Sequence, residues 1–145
     1  MSPATRTLLV ATVVAVSIPL SAVAEVDIRQ DGSLWARIED DGQIRIDGSL
    51  VGEIEPDGTV RRSGSIVGEI ESDGTIRSAG SIVGEVEEDG NLRRSGSIIG
   101  RIESDGIIRR DGSIWGSASN CCGSHGGKRD VTAVLYFFST FFAED

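Results

Sequence analysis

The sequence predicts an all-β protein, a meander of short hairpins built from a sixteen-residue repeat and followed by a short C-terminal helix. Three observations carry this prediction. Glycines recur in register: Gly42, Gly58, Gly74, Gly90 and Gly106 each follow an Asp, while Gly32, Gly48, Gly64, Gly80, Gly96 and Gly112 each precede a Ser. Between them, Ile and Val alternate with polar residues in short runs, the period of a strand rather than a helix. Finally, all four Phe and the single Tyr of the 145 residues fall in the last stretch, where the apolar spacing turns helical.

In chain order, the first element reads as an address. Met1–Ala24 has Arg6, an apolar run from Thr7 to Leu20, and the small-x-small triplet Ala22-Val23-Ala24 before Glu25. This is the pattern of a Sec-type signal peptide, and the run is short for a membrane span. The expectation is therefore an exported bacterial chain, secreted or periplasmic after cleavage near Ala24. What remains has 13 basic and 23 acidic residues, a net charge of −10. Phosphate backbones repel such a chain, which argues against nucleic acid as a partner.

Residues 25–116 form the expected β-hairpin repeat domain, with a unit reading G-x-I-R-x-x-G-S-I-V-G-x-I-E-x-D and about six units in all. Units this short cannot bury a face alone, so they must stack or close on one another. A three-residue loop Ser72-Asp73-Gly74 pairs Ile70 with Ile76 and Glu69 with Arg77, which keeps apolar and charged faces separate. It is a known hairpin loop, a type I turn followed by a left-handed glycine. The same rule applied to Arg62-Ser63-Gly64 pairs Val60 with Ile66. Small residues (Ala36, Gly52, Gly68, Gly84, Gly100, Gly116) interrupt the long strands and permit a bend or a close backbone approach. Such bends let the hairpins splay outward around a centre.

The expected core then takes Ile28, Ile44, Val60, Ile76, Leu92 and Ile108 from the short strands. From the long strands it takes Leu34, Leu50, Ile66, Ile82, Ile98 and Ile114, backed by Ile38, Ile54, Ile70, Val86 and Ile102. Seventeen buried aliphatics at roughly 1.5–3 kcal/mol each suffice for a small domain without disulfides. The opposite face carries one arginine per unit, Arg29 to Arg109, with Glu53, Glu69 and Glu85 opposite Arg61, Arg77 and Arg93. Exposed cross-strand ion pairs explain them better than an anion-binding ring. The register also sets Arg37 beside Arg45 and Arg101 beside Arg109.

The hairpin D-G-x-I-R-x-x-G-S-I-V-G-x-I-E, over Val26–Trp115 and together with the Phe-rich end, resembles the β-flower proteins. The resemblance implies antiparallel hairpins closed with pseudo-rotational symmetry as a shallow barrel, five-fold in longer members, and it brings almost no function. A β-solenoid of polymer-forming proteins is disfavoured, because stacking identical units would put six arginines in one like-charged column. Choline- or glycan-binding repeats need an aromatic in every unit. Here that slot holds Val51, Val67, Val83 and Ile99, with Trp only at Trp35 and Trp115. The two Trp read as a closure contact between first and last units, with a small ligand patch as the alternative.

Residues 117–130 are a Gly/Ser-rich linker, and residues 131–145 an apolar, Phe-rich segment, expected to be helical and docked on the barrel. Val134, Leu135, Phe138, Phe141 and Phe142 form a helical stripe with Asp130 as N-cap. The segment is too short to span a bilayer, and its acidic end argues against membrane contact. Cys121 and Cys122 are candidates for a disulfide, although neighbouring cysteines rarely bridge each other. With His125 they lack the spacing of a zinc site.

No catalytic, cofactor-binding or metal residues are identified. The Asp-Gly pairs are turn formers rather than calcium loops. The expected function is therefore an exported, non-enzymatic module with a structural or protein-interaction role in the cell envelope or outside the cell. The alternative is the binding of an apolar ligand or lipid in the barrel. Candidate ligand or partner contacts are Trp35, Trp115, Phe137, Phe138, Phe141 and Phe142.

Overall fold

A computed structural model describes residues 25–143. Twelve strands follow in sequence: β1 (Val26–Gln30), β2 (Ser33–Ile38), β3 (Gln43–Ile46), β4 (Ser49–Ile54), β5 (Thr59–Arg62), β6 (Ser65–Ile70), β7 (Thr75–Ser78), β8 (Ser81–Val86), β9 (Asn91–Arg94), β10 (Ser97–Ile102), β11 (Ile107–Arg110) and β12 (Ser113–Ala118). One helix, α1 (His125–Phe138), follows them. Each strand pairs antiparallel with its sequence neighbours, and β1 pairs with β12, so the meander closes into a barrel of six hairpins. Closure satisfies the edge strands that an open meander would leave exposed.

The two ends of the barrel use different turns. At the base, five three-residue turns join one hairpin to the next. In the β6–β7 turn, Gly74 N–H donates to the Glu71 carbonyl at 2.9 Å, and Gly74 sits at φ 97°. The pairs Ile70–Ile76 and Glu69–Arg77 follow, as the sequence predicts. The Asp of each turn accepts from the backbone two residues on, as in Thr59 N–H to Asp57 at 2.9 Å and Thr75 N–H to Asp73 at 2.9 Å. Those bonds hold both carboxyls below the usual Asp range.

At the other end, the rim, each hairpin has a two-residue turn rather than the expected three-residue loop. Ser63 (φ 50°) and Gly64 (φ 83°) are both left-handed, the signature of a type I′ turn. Arg62 then pairs with Ser65, and Arg61 with Ile66. The ladder slips at the next step, where Val60 pairs with Gly68 and leaves Val67 as an extra, bulged residue.

The bulge corrects half of the expected core. One extra residue reverses the parity of every position on its tip side. Ile66 therefore turns outward while Val67 turns in. Leu34, Leu50, Ile66, Ile82, Ile98 and Ile114, expected inside, are 42–63% exposed. Ile99 is buried, and Trp35, Val51, Val67, Val83 and Trp115 pack partly buried against the core. The other eleven expected core residues are buried, with Ile28, Ile44, Val60, Ile76, Leu92 and Ile108 forming one fully buried layer.

Twelve strands enclose a lumen wider than wall side chains alone can fill, and a helix inside is one solution. Here α1 fills it. No residue from His125 to Ser139 is exposed, and Val131 to Leu135 are buried without a break. An unbroken buried run means that the helix has neighbours all round. Its C-terminal end and the residues just after it meet opposite walls: Phe138 lies against Gly52 of β4, Phe137 against Gly68 of β6, and Phe141, beyond the helix, against Gly100 of β10.

The helix also starts earlier than expected. Ser124, not Asp130, is the N-cap, and its hydroxyl accepts from Gly127 N–H at 3.1 Å. Gly126 and Gly127 are poor helix formers and read as linker. Gly127 is nevertheless required, since a Cβ there would overlap the Cys121 carbonyl.

Candidate functional site

Two features stand apart from simple hairpin construction: the plug and the outer rim. The plug is tied to the wall at both ends by cations on backbone carbonyls. At the base, Lys128 Nζ donates to the Glu88 carbonyl at 2.9 Å, and Arg129 to that of Glu71 at 3.4 Å. His125 Nε2 lies 3.1 Å from the Val86 carbonyl. At the rim, wall arginines reach inward. Arg110 Nε donates to the Phe141 carbonyl at 2.7 Å, and Arg94 to that of Phe142. Burial pushes the Asp130 carboxyl above the usual Asp range, with Arg129 opposing the shift.

The six aromatic candidate contacts lie at the rim end of the lumen. Trp35 and Trp115 meet edge to face at 5.7 Å, and Trp115 meets Phe141 at 5.5 Å. Phe142 packs against Phe141 and Tyr136, and Phe137 against Tyr136. Phe138 lies under the guanidinium of Arg62, 5.9 Å from the ring centroid. The rim end of the lumen is thus occupied by the chain's own side chains, and these aromatics leave no apolar pocket there. At the base a cavity of about 320 Å³ remains between wall and helix, lined by Ile38, Ile54, Ile70, Arg129, Asp130 and Ala133. Cys121 and Cys122, between β12 and α1, are joined in a disulfide across adjacent residues.

The outer wall carries the arginines, and their partners differ from those expected. Arg61 Nε bonds Glu55 at 2.6 Å, and Arg77 Nε bonds Glu71 at 2.5 Å. Arg45, Arg93 and Arg109 make the same contact with Glu39, Glu87 and Glu103. Glu53, Glu69 and Glu85 are opposite the arginines in register but are not the bonded partners. The glutamate that ends each long strand lies closer to Nε, and its bond holds the guanidinium proton more firmly than in a free arginine. Arg37–Arg45 and Arg101–Arg109 do lie side by side. The first is relieved because Arg37 bonds Asp27 at 2.8 Å.

Nη1 of Arg45, Arg61, Arg77, Arg93 and Arg109 reaches the tip glycine of its own hairpin, as in Arg61 to the Gly64 carbonyl at 3.3 Å. This leaves Leu34, Leu50, Ile66, Ile82, Ile98 and Ile114 as a girdle of exposed aliphatics, one per hairpin, beside the turns. Adjacent hairpins pair for only a few residues near the base. Gly52–Arg62 is the last pair between β4 and β5, and beyond it the strands separate. Shallow clefts remain between the tips. One of about 310 Å³ is lined by Leu50, Val51, Gly52, Arg61, Ser63 and Gly64. Equivalent clefts of about 260 and 420 Å³ lie between the hairpins on either side. Six half-exposed aliphatics in one ring are more than scattered surface residues, and such patches mark interaction sites. The sequence conceals this girdle, because period-two reading assigns it to the core.

A family model described as Bactofilin: Polymer-forming cytoskeletal matches residues 23–119, two thirds of the chain. No curated protein and no solved structure matches. A cytoskeletal family overturns the expected exported module, and with it the secreted or periplasmic location. The signal peptide expected over Met1–Ala24 lies outside the described residues. The match does not extend to the β-flower family itself. What stands of that resemblance is a closed barrel of antiparallel hairpins, with six hairpins rather than five. The objection to polymer-forming repeats is that stacked units would align their arginines. In this barrel the arginines are instead distributed around the wall, each of five beside its own glutamate.

Proposed function

From the premise that this chain belongs to the bactofilin family of polymer-forming cytoskeletal proteins, we propose that it is a structural, non-enzymatic protein whose copies assemble with one another. The observation that carries this reading is the girdle of six exposed aliphatics on a closed, repetitive wall. Apolar area left in water is the main driving force for association. Closure leaves free strand edge only along the separated hairpin tips, so copies cannot add by extending the whole sheet. Side-chain contacts must do the work. The partner is accordingly a second copy rather than an envelope protein or a small molecule.

Sedimentation velocity and negative-stain microscopy of the full chain over a concentration series test the proposal. The expected outcome is a concentration-dependent shift to larger species that persists at 0.5 M NaCl, since salt screens charge pairs but not apolar contacts. A monomer throughout the micromolar range would refute it.

A further inference from the structure

Resting on that reading, we propose that two barrels join rim to rim, the hairpin tips of one seating in the clefts between the tips of the other, with a rotational register set by three aspartates. The two ends of the barrel differ in chemistry. Each base turn carries an Asp (Asp41, Asp57, Asp73, Asp89, Asp105), with Asp40 and Glu88 added. Two bases repel, and a base offers no aliphatic girdle to receive a rim. The rim has the apolar girdle and alternates six tips with intervening clefts, of which three measure about 260 to 420 Å³. Each has room for an aliphatic side chain, so Ile66 or Ile82 of one copy fills a notch beside Leu50 or Ile66 of the other. Such a contact is self-complementary and closes as a two-fold pair.

The tips are not all alike. The left-handed residue before the tip glycine is Ser63, Ala79 or Ser95 on three consecutive hairpins. It is Asp111, Asp31 or Asp47 on the other three, which are also consecutive because β12 closes on β1. The rim therefore has an acidic half, in which Arg110 pairs with Asp111, and a half without tip carboxylates that carries Arg62 and Arg94. Two rims meet with least repulsion when the acidic half of each faces the half of the other that has no tip carboxylates and carries Arg62 and Arg94. Of the rotations the pseudo-six-fold wall would allow, the charges select this one.

The test uses the full chain in sedimentation velocity. The wild type is expected to show its smallest assembled species at twice the 15.3 kDa chain mass. Ile66→Glu with Ile82→Glu should raise the concentration for half-association at least tenfold while leaving thermal unfolding of the monomer unchanged. Ser63→Asp, Ala79→Asp and Ser95→Asp together place a carboxylate on every tip. Asp already occupies the same turn position at Asp31, Asp47 and Asp111, so the fold accepts it. This triple variant should weaken association tenfold or more at 20 mM salt and recover at 0.5 M. If the wild type assembles and either variant assembles equally well at low salt, the rim contact is wrong while self-assembly stands. A wild type that stays monomeric removes both.

Discussion

Leu135 is the side chain whose loss should report most directly on the plugged lumen. It has no solvent exposure and closes the buried run from Val131 to Leu135. Truncation to alanine removes its transfer energy and leaves a cavity, for a cost of about 2–5 kcal/mol in a core that cannot collapse. The wall here is a closed ladder, hydrogen-bonded all round. It cannot move inward without breaking pairs, so the upper half of that range applies. Small domains have only about 5–15 kcal/mol in total.

Urea unfolding followed by Trp fluorescence is the assay, because Trp115 touches Phe141 of the plug. It is run dilute, since assembly would add concentration-dependent stability. Ile66→Ala serves as the control. At 61% exposure, its truncation should cost about 1 kcal/mol or less. If Leu135→Ala falls within about 0.5 kcal/mol of wild type, the plugged lumen fails; if Ile66→Ala costs as much as Leu135→Ala, the outward turn assigned to Ile66 by the bulge fails.

Three further outcomes follow from the same geometry. Gly68→Ala should lose about 1–3 kcal/mol in thermal or urea unfolding, because its Cβ would stand 2.6 Å from the Phe137 ring and overlap the Arg77 carbonyl. Ala79→Asn should gain about 0.5–1 kcal/mol and raise Tm by a few degrees, because Ala79 is left-handed at φ 51° and Asn-Gly is the preferred type I′ pair. Asp130→Asn should raise Tm at neutral pH, with the gain fading below about pH 4. A raised folded pKa means that the native state holds the proton more tightly, so stability falls as pH rises from the unfolded value to the folded one. Asp57→Ala should behave oppositely. The Thr59 N–H depresses the Asp57 pKa, so its contribution is present above the unfolded value and lost as pH falls through the folded one.

The sequence by itself determined the period, the strands, the three-residue base turns and eleven of the seventeen expected core positions. Each is a local matter: a glycine that must be left-handed, an Asp that must accept from the backbone two residues on, an aliphatic next to its hairpin partner. The tertiary structure alone decided what depends on the closed circle. Whether Ile66 or Val67 faces inward is set by one bulged residue, and the repeat pattern is the same either way. Whether the Phe-rich helix covers the barrel or fills it depends on lumen width, which twelve strands fix and no single unit encodes. The arginines choose the glutamates at the strand ends over those directly opposite because distance in the folded wall, not register, determines the bond. Local backbone chemistry is written within each sixteen-residue unit; which side chains meet across the barrel exists only once all six hairpins have closed.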